Sequence, residues 1–185
     1  MVVPGRICIV GDTHANVLAT VTAIDNAAAS GADLIVQVGD FGYWPRQEAG
    51  RRFLRRVEAQ LSLHGLDLWW IDGNHEDHHR LAASEIGDDG RRRISDHVWN
   101  LPRGYRWKWG DTTWLAAGGA VSVDAAARTA GDDWFPEEEL TDTQVSGIIA
   151  DGPADVVVAH DAPAGTPMLA SRLATIASPW PPERV

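Results

Sequence analysis

Cysteine is almost absent from this chain. The single thiol, Cys8, lies inside an apolar run, which excludes an intramolecular disulfide and a cysteine-based zinc cluster. Its neighbours Ile7, Ile9 and Val10 give it the character of a small buried hydrophobe. No apolar stretch has the length of a membrane span, and the first residues, Met1 to Gly5, lack a signal-peptide core. A cytoplasmic protein with no membrane partner is expected. Positive charge is in deficit: 16 Lys and Arg against 26 Asp and Glu leave a formal net charge of −10. Such a surface repels nucleic-acid backbones, although metal ions at a site would reverse the field locally. There is no internal repeat. The 185 residues, 44% of them hydrophobic, are enough to bury a core as one domain spanning 1–185.

What is present is a set of four short polar segments, each placed directly after an apolar run. Asp12-Thr13-His14 follows Ile7-Cys8-Ile9-Val10, and Gly39-Asp40 follows Leu34-Ile35-Val36-Gln37-Val38. Gly73-Asn74-His75-Glu76 follows Leu68-Trp69-Trp70-Ile71, and His160-Asp161 follows Val156-Val157-Val158-Ala159. The runs have the length and content of buried strands. In open α/β sheets, ligands bind at the carboxyl ends of the strands, so the four segments point to one composite site.

The chain between them alternates strand and helix. Val17, Val21, Ile24 and Ala28 recur at helical spacing, with Gly31 as a stop. Phe53, Leu54, Val57 and Leu61 mark a second helix closed by His64-Gly65, and a shorter helix is expected around 77–85. This β-α-β-α-β order predicts a parallel sheet. After Asp88-Asp89-Gly90 the pattern changes to short strands at His97–Leu101, Tyr105–Trp109 and Thr112–Ala117, for which hairpins and antiparallel pairing are expected. A long loop then runs from Gly118 to Pro136, a length often associated with function. Thr141 and Gln144 form a capping-box pattern that predicts a helix from about 142 to Asp151-Gly152-Pro153. The tail around Ser178–Pro182 reads as extended or disordered. The chain has nine tryptophans, and most fall in the strand-like stretches, where sheet packing accounts for them.

Carboxylate, imidazole and amide donors without a thiolate suit Mn²⁺, Fe or Zn²⁺ better than Ca²⁺. Asp12 and His14 are two apart, and in an extended backbone they would face one side and grip one ion. Asp40 has two oxygens and can bridge; Asn74 offers an amide oxygen and His160 a further imidazole. Two ions about 3.5–4 Å apart can clamp a phosphate, lower the pKa of a bridging water and stabilise the leaving oxygen. Gly11, Gly39 and Gly73 each precede a candidate ligand and permit sharp turns. Each element taken singly is an ordinary turn or a chance pattern; their conjunction carries the reading.

Together these motifs resemble the calcineurin-like metallophosphoesterases over residues 6–161, with Gly-Asn-His-Glu after a hydrophobic strand as the most specific element. The resemblance implies an α/β fold, an αββα sandwich of two mixed sheets flanked by helices. It implies two divalent cations, one held by Asp12, His14 and Asp40 and the other by Asp40, Asn74 and His160. It implies that His75 is not a metal ligand but protonates the leaving alkoxide or stabilises the phosphate, and it implies hydrolysis of a phosphate ester by a metal-bridged hydroxide. The segment Trp134 to Glu139 also resembles some small bacterial and phage members of the family.

One feature departs from the family pattern. A Gly-His-x-His motif usually follows the equivalent of His160, and no histidine follows it here. A C-terminally incomplete member is expected, with the ion served by Asp40, Asn74 and His160 the weaker. A catalytically impaired binding or regulatory module, or a nuclease of the same family, are the alternatives. The acidic charge favours a small molecule or a phosphoprotein over nucleic acid as substrate. Among the remaining residues, Arg128 in the long loop has the chemistry to meet a phosphate oxygen. Asp161 could orient His160 or begin a turn. His78 and His79 read as exposed helix histidines. Arg51, Arg52, Arg55, Arg56 and the run Arg91 to Arg93 read as solvated or turn residues, with Glu48 paired to Arg52.

Overall fold

The computed structural model of the protein describes residues 2–162. Its first sheet has the order β1-β2-β3-β5-β4. The strands are β1 (Ile7–Val10), β2 (Leu34–Val38), β3 (Asp67–Ile71), β4 (Arg92–Arg93) and β5 (Val98–Asn100). The first three are parallel and are joined by α1 (Val17–Ala29) and α2 (Glu48–His64), as the alternation predicts. Asn16 caps α1 by accepting the Ala19 N–H, and α2 ends on Gly65 in the left-handed region at φ 64°.

Alternation along β2 and β3 divides the apolar residues between two cores. Ile35, Leu68 and Trp70 face the helices and pack with Ile24, Phe53, Val57 and Leu61. Leu34, Val36, Trp69 and Ile71 face the other way, onto the second sheet. That sheet is β6-β7-β8, made of Arg106–Trp109, Thr112–Ala117 and Val156–Ala159. It supplies Trp107, Trp109, Ala116 and Val158 to the intersheet core. The short α3 (His78–Ala82) follows β3, and α4 (Asp142–Ala150) has the expected Thr141–Gln144 capping box. Arg106 fastens the carboxyl end of α4, donating to the carbonyls of Ile148, Gly152 and Pro153. The layers are therefore helices, sheet, sheet and helix.

The second half departs from expectation in two places. β5 does not pair with β6: it lies parallel to β3, and its hairpin partner is the unforeseen β4, which runs antiparallel to it. Arg91 reaches the adjacent aromatic surface, with its guanidinium carbon 4.7 Å from the Trp69 ring and 4.3 Å from the Trp99 ring. Among the strands expected from the sequence, β6 and β7 form a hairpin, whereas β8 returns parallel to β7. Both sheets are thus mixed. The expected extended tail at 178–182 lies outside the described residues. No described helix is long and apolar enough to cross a membrane.

Candidate metal centre

Asp40 is the floor of the site. It follows β2 at a turn that the sequence builds with Gln37 and Gly39. The fully buried Gln37 side chain donates to the Gly39 carbonyl at 2.6 Å and accepts the Gly39 N–H at 3.1 Å. Gly39 has φ 94°, and a Cβ there would run into the His160 ring. Gly73 is excluded from substitution in the same way, because a Cβ would strike the Asp40 carboxylate. Two loops and the end of β8 therefore close on one carboxylate only because glycine stands at both approaches.

The backbone here is strained. Asp12, His14, Ala15 and Asp40 are the non-glycine residues of positive φ among the described residues, at 50°, 46°, 56° and 51°. Each such conformation costs about 1–3 kcal/mol and persists only where its surroundings enforce it. Enforcement comes from a ladder between the two loops: Asp12 N–H donates to Gly39 O, His14 N–H to Asp40 O and Ala15 N–H to Phe41 O, at 3.3, 2.7 and 3.1 Å. Glu76 adds a second brace. Fully buried, it accepts the N–H groups of Phe41 at 2.7 Å and Tyr43 at 2.6 Å, and its Oε2 lies 3.2 Å from the Gly42 nitrogen. Burial pushes the Glu76 carboxyl up to about 8 despite those N–H donors, with the Asp40 and Asp72 charges adding to the rise.

The extended-backbone argument for Asp12 and His14 is thereby corrected. Both are left-handed, the loop curls, and the two side chains serve different clusters. His14, Asp40 and His75 form one group with potential ligand atoms within 4.8 Å of one another; Asp12, Asp40 and His160 form the other. Asp40 is common to both. His14 Nε2 lies 3.3 Å and His160 Nε2 3.6 Å from Asp40 Oδ2, and His160 Nδ1 lies 3.8 Å from Asp12 Oδ1. Asp40 is buried, whereas Asp12 and His14 are 70% and 49% exposed and form an open rim.

His160 is oriented by the backbone. Its Nδ1 donates to the Val38 carbonyl at 2.8 Å, which leaves Nε2 to face Asp40. Asp161 is exposed beside it, and the Val38 carbonyl takes the orienting role. Burial works against the His160 charge, but the Asp40 carboxylate, the Val38 carbonyl and the Asp12 charge outweigh it and raise the imidazole to about 9. Asp40 shows the reverse. Burial would raise it, yet His160 and the His75 N–H hold it down at about 2. His75 donates that N–H to Asp40 Oδ1 at 2.8 Å, and its ring stands edge-on to His14 with centroids 5.0 Å apart.

Asn74 comes from the same turn and leads into a network that the sequence did not reveal. Its Nδ2 donates to Ser122 Oγ at 2.9 Å, and Ser122 donates to the buried Glu138 carboxylate at 2.9 Å. Arg128, the sequence candidate for phosphate contact, is 7% exposed and inside this network: Nη1 donates to Ser122 Oγ at 2.7 Å and Nη2 to the Asp133 carbonyl. His78 is another correction. It is buried against Phe135, with Nδ1 3.8 Å from Asp72 Oδ2, whereas His79 is exposed as expected. Glu48 pairs with Arg51 and Arg55 rather than Arg52. Glu76 could have been found, since it ends the Gly-Asn-His-Glu motif. Ser122 and Glu138 had no local signal beyond the length of their loop.

The donor set fits hard or borderline divalent cations: carboxylate and imidazole groups converge, and Cys8, the only thiol, is in β1 facing the helical core. Residues 5–177 match the family described as calcineurin-like phosphoesterase. The chain belongs to that family. No curated protein matches it. Membership makes this a domain of metal-dependent phosphoesterase type, from a family that acts on phosphate esters and typically binds divalent metals.

Proposed function

We propose that this calcineurin-like phosphoesterase is a binuclear phosphatase or phosphodiesterase, with Asp12, His14, Asp40, Asn74 and His160 as metal ligands and His75 as the proton donor. The observation that carries the reading is the pair of donor clusters sharing the buried Asp40. Bound divalent cations of the Mn²⁺, Fe or Zn²⁺ type would supply Lewis acidity and a water of lowered pKa. The chain's own residues do the rest. Asp40 is positioned by the His75 N–H on Oδ1 and by the Gly39 turn, which leaves Oδ2 facing both His14 and His160. His160 presents Nε2 because Val38 holds Nδ1. The ring of His75 stands at the mouth beside His14, where it can give a proton to the departing alkoxide while its own backbone remains tied to Asp40. Exposed Asp12 and His14 leave the centre open to a phosphate group carried on a small molecule or a protein.

The test uses the purified chain with Mn²⁺ and an aryl phosphate monoester and diester. Turnover should require the metal, stop on chelation, and be absent in Asp40→Ala together with Mn²⁺ binding. Hydrolysis that persists in chelator, or Mn²⁺ binding unchanged in Asp40→Ala, overturns the reading.

A further inference from the structure

An asparagine can ligate a cation only through its oxygen, so the rotation of the Asn74 amide decides whether it is a ligand at all. The network behind Asn74 sets that rotation. The Ser122 hydroxyl has one hydrogen and two lone pairs. Arg128 Nη1, 2.7 Å away, can only donate and occupies one lone pair. The Glu138 carboxylate takes the hydrogen at 2.9 Å, while its other oxygen accepts the Ser122 N–H at 2.6 Å. One lone pair remains for the atom of Asn74 that lies 2.9 Å away, and only a donor can serve it. Ser122 and Glu138 are 6% and 3% exposed, so the arrangement is shielded from solvent. An Asn74 amide turned the other way would set its oxygen against a hydroxyl oxygen with no hydrogen to offer, a buried mismatch.

We infer that Ser122, itself fixed by Glu138 and Arg128, is a positioning residue that keeps the Asn74 amide NH2 engaged and its carbonyl oxygen available to a cation. The inference rests on the reading of Asn74 as a ligand. Arg128 also gains a definite role, because by filling a lone pair of Ser122 it removes the hydroxyl's freedom to turn. Asn74 is flanked by Gly73 and His75, both of which touch Asp40, so the backbone carrying the amide is already pinned to the centre. Only the side-chain rotation remains to be set, and the long loop sets it.

The decisive experiment is a double-mutant cycle on Mn²⁺ affinity by titration calorimetry, using Ser122→Ala, Asn74→Ala and the double variant. Ser122→Ala should weaken one Mn²⁺ site about 10–100-fold, the usual range for a partner that orients a ligand. Asn74→Ala should weaken that site at least as much, and the double variant no further than Asn74→Ala alone. Ser122→Thr, which keeps the hydroxyl, should restore binding. Additive losses, or an unchanged affinity in Ser122→Ala, overturn the positioning role. If Asn74→Ala itself leaves both sites intact while Asp40→Ala abolishes binding, the assignment of Asn74 as ligand is what fails. A readout independent of metal comes from the wild-type protein without ions. The Asn74 side-chain amide protons should give a nuclear Overhauser cross-peak to the Ser122 side chain and exchange slowly with water. Absence of that cross-peak overturns the contact whatever the variants do.

Discussion

The loops around Asp40 and the tryptophan layer between the sheets hold together by opposite means. In the layer, Trp69, Trp107, Trp109 and Trp114 pack ring on ring with centroids 4.8–6.0 Å apart. Their indole N–H groups find no acceptor among the described residues. Area removed from water outweighs that loss, since each large aromatic buries roughly 150–250 Å². Around Asp40 the balance reverses. Four residues carry left-handed backbone, held by the hydrogen bonds between the two loops and by those that Glu76 accepts. The layer tolerates imperfect polar satisfaction because its energy is non-directional. The site cannot, because its function depends on where single oxygen and nitrogen atoms point.

This contrast predicts that damage to each region has a different signature. The largest effect on turnover short of losing Asp40 should come from His75→Ala. It should lower kcat about 10²–10⁴-fold, as expected for loss of a general acid, with Mn²⁺ binding and thermal stability nearly preserved. Equal loss of metal affinity in His75→Ala and Asp40→Ala, measured by calorimetry, would show that His75 is a ligand, which its membership of the His14–Asp40 cluster allows. Trp107→Ala should do the opposite. It should destabilise the fold by about 3–5 kcal/mol in denaturant titration and leave the turnover of the remaining folded protein unchanged. A selective fall in kcat without loss of stability would break the division between the regions.

A smaller effect should appear in pH dependence. Without metal, the His160–Asp40 pair stabilises the fold. His160 is raised from 6.5 to about 9, so its contribution is complete below pH 6.5 and lost as pH rises through 9. Asp40 is lowered from 3.8 to about 2, so its contribution is present above pH 3.8 and lost as pH falls through 2. A ligating imidazole must be neutral, so Mn²⁺ binding at neutral pH should expel about one proton from His160. Calorimetry in buffers of different ionisation enthalpy measures this, and zero protons released would remove His160 from the ligand set.

The smallest effect belongs to a pair outside both regions. Glu58 accepts from His97 Nδ1 at 2.6 Å, from the His97 N–H at 3.0 Å and from Ser95. That partner raises His97, so its contribution is present below the ordinary pKa of 6.5 and fades as pH rises through the higher folded value. The pair is partly open to solvent, and His97→Ala should cost less than about 1 kcal/mol.

Much of this protein is determined by its sequence alone. The apolar runs ending in Asp12, Asp40, Asn74 and His160 specify strands and place their ligand-type residues at one edge, because strand period and crossover helices leave little alternative. Turn and cap chemistry likewise sets Gly65 and the Thr141–Gln144 box. Tertiary structure decided the rest. The partner of β5, the left-handed curl at Asp12 and His14, and the wiring of Asn74 through Ser122 to Glu138 all join residues far apart in the chain. The physical reason is directionality. Burial of apolar surface is periodic and additive along a segment, so it can be read locally. A hydrogen-bond network has meaning only once donors and acceptors from separate loops have been brought within reach.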